Sequence, residues 1–271
     1  MNYRIIRAIA EKDIEDALHN PINIYGALIV SFIFAILIPL IITNAPTFDP
    51  NFTGQEAFDE IESLIPTPLQ SLIDTLTPEA LFIVIILGYL IAPLFLVIPL
   101  MISCIIASEA FVGEKERKTL EPLLYTPATD TELFLGKIAA AMIPGIVFTW
   151  LNFLIFALMV NIAGLPIMGS FWFPTINWVV MMIFLVPVIS LLGVSVTIII
   201  STRVKTFMEA YQATGILVLL VVGLMIAQSI GLLFLSPEVT VFVSLVVLVI
   251  DALLIKIGIK IFSRSEQITR V

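Results

Sequence analysis

The sequence predicts an all-α polytopic membrane protein with six transmembrane helices and both termini in the cytoplasm. Three observations lead there. The chain has 271 residues, 60% of them hydrophobic, with a mean hydropathy of +1.13. Only 13% are charged, against about 25% in a typical soluble domain. Six apolar stretches reach the roughly 20 residues that a bilayer core demands. They lie near 24–43, 80–107, 138–162, 177–200, 212–235 and 239–261. All 13 Lys and Arg residues fall in four segments: the N-terminus, the stretch between the second and third spans, the 201–206 loop and the C-terminal end. The segments 44–79, 163–176 and 236–238 hold none. Basic residues stay on the cytoplasmic side, so this distribution orients the chain and requires an even number of spans.

Taken in order, residues 1–20 are charged and amphipathic. Ile5, Ile6, Ile9, Ile14, Ala17 and Leu18 form an apolar set beside charged positions, the pattern of a helix lying in the inner interface. No cleavable signal peptide is expected there, and the first apolar run reads as an uncleaved anchor. Pro21 turns the chain into span one. The external loop 44–79 carries Phe58, Ile61, Leu64 and Ile65, then Pro-Thr-Pro, then Leu69, Leu72, Ile73 and Leu76, a pattern of two short amphipathic helices. Pro93 and Pro99 predict kinks in span two, and Pro144 and Pro187 in spans three and four. Ser236-Pro237-Glu238 reads as a tight turn joining spans five and six. No internal repeat or low-complexity tract is present. The whole chain, 1–271, is read as one transmembrane domain.

Composition also excludes chemistry. One histidine, His19, and one cysteine, Cys104, cannot build a His- or Cys-based metal site, a disulfide or a Ser/His/Asp set. Nine Met residues leave thioether ligation as a weak metal alternative. No Gly-x-x-x-x-Gly-Lys-Ser/Thr loop is present, so hydrolysis of nucleotide by this chain is not expected. Eight acidic residues fall in the external segments (Asp49, Glu56, Asp59, Glu60, Glu62, Asp74, Glu79 and Glu238), equal in number to the net charge of −8. That balance describes a solvated outer face and makes no case for a nucleic-acid partner.

The densest charge lies at Gly113–Lys137, GEKERKTLEPLLYTPATDTELFLGK. Leu120, Leu123 and Leu124 form an apolar stripe at helical spacing. Thr126-Pro127 breaks it, and Thr129 or Asp130 can cap a new helix leading into span three. Two readings fit these residues: a solvated loop with capping side chains, or an exposed helix–turn–helix whose leucines dock on a partner. In span six, Asp251 is either a functional carboxylate or a hydrogen-bonded or protonated packing residue. Asn152, Thr214, Gln228 and Ser229 are the other polar groups at depth.

This stretch resembles permease subunits of type-2 ATP-binding cassette (ABC) transporters. The family pattern is matched by Glu114, Lys115, Glu116, Thr119, Leu120, Glu121, Leu123, Leu124, Pro127, Glu132, Leu133, Gly136 and Lys137. Lys118 departs from it, where many members have Gly. AEKDIEDALHNP at 10–21 is similar to the family's amphipathic entrance helix, and STRVKTFMEAYQA at 201–213 to its link before span five.

The resemblance implies the pore-forming half of a transporter, with transport directed outward, in the cell membrane. Two copies, or two related permeases, form the pore among membrane lipids. Two copies of a cytoplasmic ABC ATPase bind ATP and Mg, and this chain binds no cofactor. Segment 108–137 becomes the coupling segment, with Glu114, Arg117, Thr119, Leu120, Glu121 and Leu124 as ATPase contacts. Ser103, Gln228, Ser229 and Asp251 are the pathway candidates. An ion, a drug-like or lipid-like amphiphile, or a peptide is the expected cargo. The rival readings are a gradient-driven transporter using Asp251 and a membrane scaffold that recruits cytoplasmic proteins.

Overall fold

The structure is a computed structural model that describes residues 2–19, 21–45, 76–117, 128–230 and 233–261. Among these the chain is helical without strands. An N-terminal helix, Tyr3–His19, precedes six helices long and apolar enough to cross a membrane: Tyr25–Thr43, Ala92–Glu116, Thr131–Met168, Ile176–Ser201, Phe207–Ser229 and Pro237–Lys260. These are spans one to six. A separate apolar helix, Pro78–Leu90, leads into span two. The amphipathic pair expected near 54–78 lies outside the described residues up to position 75.

Span two is the axis of the fold. Its apolar window is 83% buried, against 17% in spans one, five and six. Spans three and four pack along it, span six packs on span four, and spans one and five lie on its remaining flanks. Close approach is possible because small residues stand at the crossings. A Cβ on Gly145 of span three would collide with Ser103 Oγ of span two, and one on Gly193 of span four would lie 3.1 Å from Cys104 Sγ. Gly258 brings span six against Ile198 and Phe134 in the same way.

Proline is preceded by wide turns in spans one and four and in the helix that leads into span two. Proline has no N–H, and its ring strikes the carbonyl four residues back. The helix meets this with π-helical stretches just before it: Phe32–Leu37 ahead of Pro39, Ile86–Leu90 ahead of Pro93 and Met181–Leu185 ahead of Pro187. Pro144 and Pro166 are instead absorbed in one 39-residue helix, Asp130–Met168. At 1.5 Å per residue that helix is roughly 58 Å long, well beyond the hydrocarbon core, so its ends stand outside.

At the end away from the N-terminus, Asn161 holds the span three–four connection. Its Oδ1 accepts from the Trp172 and Phe173 backbone N–H groups at 3.1 and 3.2 Å, and its Nδ2 donates to Phe173 O at 2.7 Å. Gly169, at φ +68°, ends span three in the left-handed region that favours glycine. The connection folds Phe173 onto Trp178 and Phe156, which in turn pack on Phe95, a buried aromatic group.

Candidate functional site: an ionic joint beneath the 108–137 segment

The described residues of segment 108–137 form the end of span two and the start of span three. The span two end is a fourth π-helical stretch, Glu109–Gly113, in which Glu114 N–H reaches back five residues to Glu109 O. No proline lies within the eight residues that follow it. Wide turns of this kind, without a steric cause, are frequent at functional sites. On the return, Thr129 caps Asp130–Met168 through a capping box. Glu132 N–H donates to Thr129 Oγ1, and Thr129 N–H donates to Glu132 Oε2. Glu132 Oε1 also accepts from Asn2 N–H, tying down the start of the N-terminal helix.

Between these two arms lies a buried lysine. Lys137, on the second turn of the capped helix, has no exposed surface. Its Nζ donates to Glu114 Oε2 at 2.6 Å, to Ala110 O at 2.6 Å and to Asp13 Oδ2 at 3.4 Å. It lies 5.7 Å from the centroid of the Phe111 ring. The second Glu114 oxygen accepts from Lys12, which also faces Asp13 at 3.1 Å and Asp16 at 3.4 Å. One carboxylate therefore bridges two ammonium groups from different helices. Lys137, Asp13 and Glu114 are removed from water, and each compensates a charge that could not otherwise stay there. Burial acts most strongly on Lys12, lowering its pKa. The hydrogen bond to Glu114 and the charges of Asp13 and Glu114 together outweigh it and hold the ammonium above its ordinary value.

The backbone approach needs a missing side chain beside that lysine. A Cβ on Gly136 would lie 2.8 Å from Ile9 Cγ2 and 3.2 Å from Ile6 O, so the N-terminal helix rests directly on the glycine. Two further links complete the joint. Arg117 Nη2 donates to the buried Glu109 at 2.6 Å. Phe207 N–H donates to Glu116 Oε2 at 2.8 Å, so span two's end caps the start of span five beside its own Thr206 cap. A carboxylate at a helix N-terminus is favoured by the aligned peptide dipoles. The N-terminal helix, span two, span three and span five are thus joined where the segment leaves the bundle.

The residues singled out by sequence are distributed as follows. Glu114 points inward, with its side chain 11% exposed, and Arg117 lies along the surface against Glu109. Thr119, Leu120, Glu121 and Leu124 lie outside the described residues. Ser103 is buried at the crossing of spans two, three and four, beside Ser190. Gln228 Nε2 donates to Tyr89 O at 2.6 Å, fastening span five to the helix before span two, and Ser229 turns back to Met225 O of its own helix. Asp251 is fully buried against span four, near Ser195, and neither carboxylate oxygen has a hydrogen-bond partner. The structure does not bring these four together with the joint. Sequence reasoning missed Asp13, Glu109 and the inward role of Lys137. A signal existed: Asp13 shares a helix face with Ala10 and Ala17, and Lys137 is flanked by Leu133, Phe134 and Ile138, where an unpaired lysine is not tolerated.

Comparison with known proteins agrees with this architecture. No curated protein matches the chain. The sequence matches the family described as ABC-2 family transporter protein over residues 7–262, from within the N-terminal helix to just past span six. The chain is therefore a multi-pass membrane protein of the ABC-2 transporter family.

Proposed function

We propose that this chain is the pore-forming subunit of an exporter in the cell membrane, driven by two copies of a separate cytoplasmic ATPase that carries ATP and Mg. Family membership supports an ATP-binding cassette partner. The observation that carries the mechanism is the joint. In this reading, residues 118–127 dock on the ATPase through Thr119, Leu120, Glu121 and Leu124. Glu114 and Arg117 act behind that surface, transmitting its movement. Closure of the two ATPase domains displaces the segment, and buried charge pairs resist being pulled apart, so the N-terminal helix and spans two, three and five move with it. The N- and C-termini are cytoplasmic, on the side where the basic residues collect. A second copy, or a related permease, completes the pore, with Ser103, Gln228, Ser229 and Asp251 as the polar groups to test along it.

The test is co-purification of this chain with a candidate cassette ATPase encoded beside it. Stoichiometric ATPase with the wild type, lost in a Leu120→Asp, Leu124→Asp double variant, supports the reading. No ATPase with a monodisperse wild type removes it. One observation favours a second reading. A fully buried carboxylate without a hydrogen-bond partner, as at Asp251, suits coupling to an ion gradient. Gradient-dependent transport that Asp251→Asn abolishes, with no response to ATP, would select it.

A further inference from the structure

Two apolar crevices flank span one where it passes the N-terminal helix. The larger, about 260 Å³, lies between the N-terminal helix and spans one, two and three, with Leu18, Leu28, Pro144 and Leu151 in its walls. The smaller, about 140 Å³, lies on the opposite flank, toward span five, and includes Gly26, Met101 and Tyr211. Both share Ala27, Ile102, Ile105 and Phe148. Span one thus stands over one slot that opens on each of its sides. No residue lining the larger part has a polar side chain.

We infer that this slot binds one acyl chain of a membrane lipid from the leaflet on the side of the ionic joint. Shape and chemistry select the occupant. Water needs polar partners, which the walls of the larger part do not supply, whereas an apolar cavity of about 150 Å³ is known to hold a benzene ring. A helix is about 10 Å across and cannot enter a slot of this volume, so a second copy of the chain is excluded from its interior. A flexible alkyl chain fits. Leu28 and Leu151, 54% and 53% exposed, form an open rim, and in a membrane-spanning chain that rim faces hydrocarbon. Bulk lipid is as apolar as the slot, so selective retention comes from close contact on several sides rather than from leaving water. The occupant touches Ala17 and Leu18, about one turn beyond Asp13 of the joint. Binding of the acyl chain is independent of any ATPase partner.

Gly26 provides the means to test it, because a Cβ there meets nothing within 4 Å. A larger side chain can enter the slot without striking backbone. The full-length chain is reconstituted in phosphatidylcholine vesicles doped with a phosphatidylcholine carrying a photoactivatable diazirine midway along one acyl chain. Labelled peptides are then mapped by mass spectrometry. Labelling of 101–106 and 144–151 should saturate with increasing probe and be lost in Gly26→Phe. Labelling of the exposed Leu245–Val249 face of span six should rise without saturation and be unchanged. Gly26→Leu, a smaller filler, should reduce the slot signal and decides the matter should Gly26→Phe fail to fold. Slot labelling that rises in proportion to probe and survives both substitutions would overturn the proposal, leaving only contact with bulk hydrocarbon.

Discussion

Lys137 and Asp13 are 124 residues apart in sequence, yet their charged groups meet at 3.4 Å in a place with no exposed surface on the lysine and 3% on the aspartate side chain. Glu114 completes the contact from a third helix. Removing the lysine would leave Asp13 and Glu114 with only the half-exposed Lys12 as a counter-charge. Lys137→Ala should lower stability by at most about 3–5 kcal/mol, the penalty for breaking a buried pair, with Lys12 compensating part of the charge left behind. Lys137→Met combined with Asp13→Asn and Glu114→Gln should recover a large part of that loss. Thermal unfolding in detergent would show both effects. A single variant as stable as the wild type would contradict the assignment of a buried pair.

Gly136→Ala should push the N-terminal helix outward, because the new methyl would lie 2.8 Å from Ile9 Cγ2. Overpacking of this kind costs about 1–3 kcal/mol. Ile9→Gly, which removes both Cγ2 and the Cβ at 2.9 Å, should relieve most of it, so a double-mutant cycle should show a favourable coupling between the two changes. Independent, additive effects would mean that the helix does not rest on Gly136.

Asn161→Ala should loosen the far end without touching the joint. It leaves the Trp172 and Phe173 N–H groups without their acceptor and the Phe173 carbonyl without its donor. An unsatisfied buried polar group costs about 1–3 kcal/mol. Hydrogen exchange of 170–175 should rise sharply while that of 109–117 stays unchanged.

The contribution of Lys12 to the joint should be flat across neutral pH. Lys12 is held above its ordinary value of 10.5. A raised folded-state value means that its contribution is fully present below the unfolded pKa and declines only as pH rises toward the folded one. The difference in thermal midpoint between wild type and Lys12→Met should therefore be constant from about pH 6 to pH 9 and shrink only in strong alkali. A difference that collapses below pH 9 would rule out the charged bridge from Lys12 to Glu114.

The spans were legible because apolar length is a property of each segment taken alone. Four of the basic residues, Lys12, Arg117, Lys137 and Lys205, gather at one end of the bundle, around the joint and the start of span five. The joint was not legible, because it depends on three helices meeting. From sequence, Lys137 is a basic residue flanking span three, and Glu114 is one acid in a charged run. Only packing turns both inward. The Thr129 cap was readable, since capping depends on four consecutive residues. The capping of span five by Glu116 was not, because its partner Phe207 lies 91 residues away.

The most direct test of the account is ATP turnover by the ATPase bound to this chain in reconstituted vesicles, compared with ATPase alone. Wild type, Leu120→Asp/Leu124→Asp and Lys137→Met would be assayed, each first shown to be monodisperse. The account predicts that the wild type changes the turnover rate and that the double leucine variant binds no ATPase. Lys137→Met should bind ATPase stoichiometrically yet leave its turnover at the rate of free ATPase, because docking survives and transmission does not. Wild-type turnover in Lys137→Met would contradict the claim that the ionic joint carries movement from the segment to the spans.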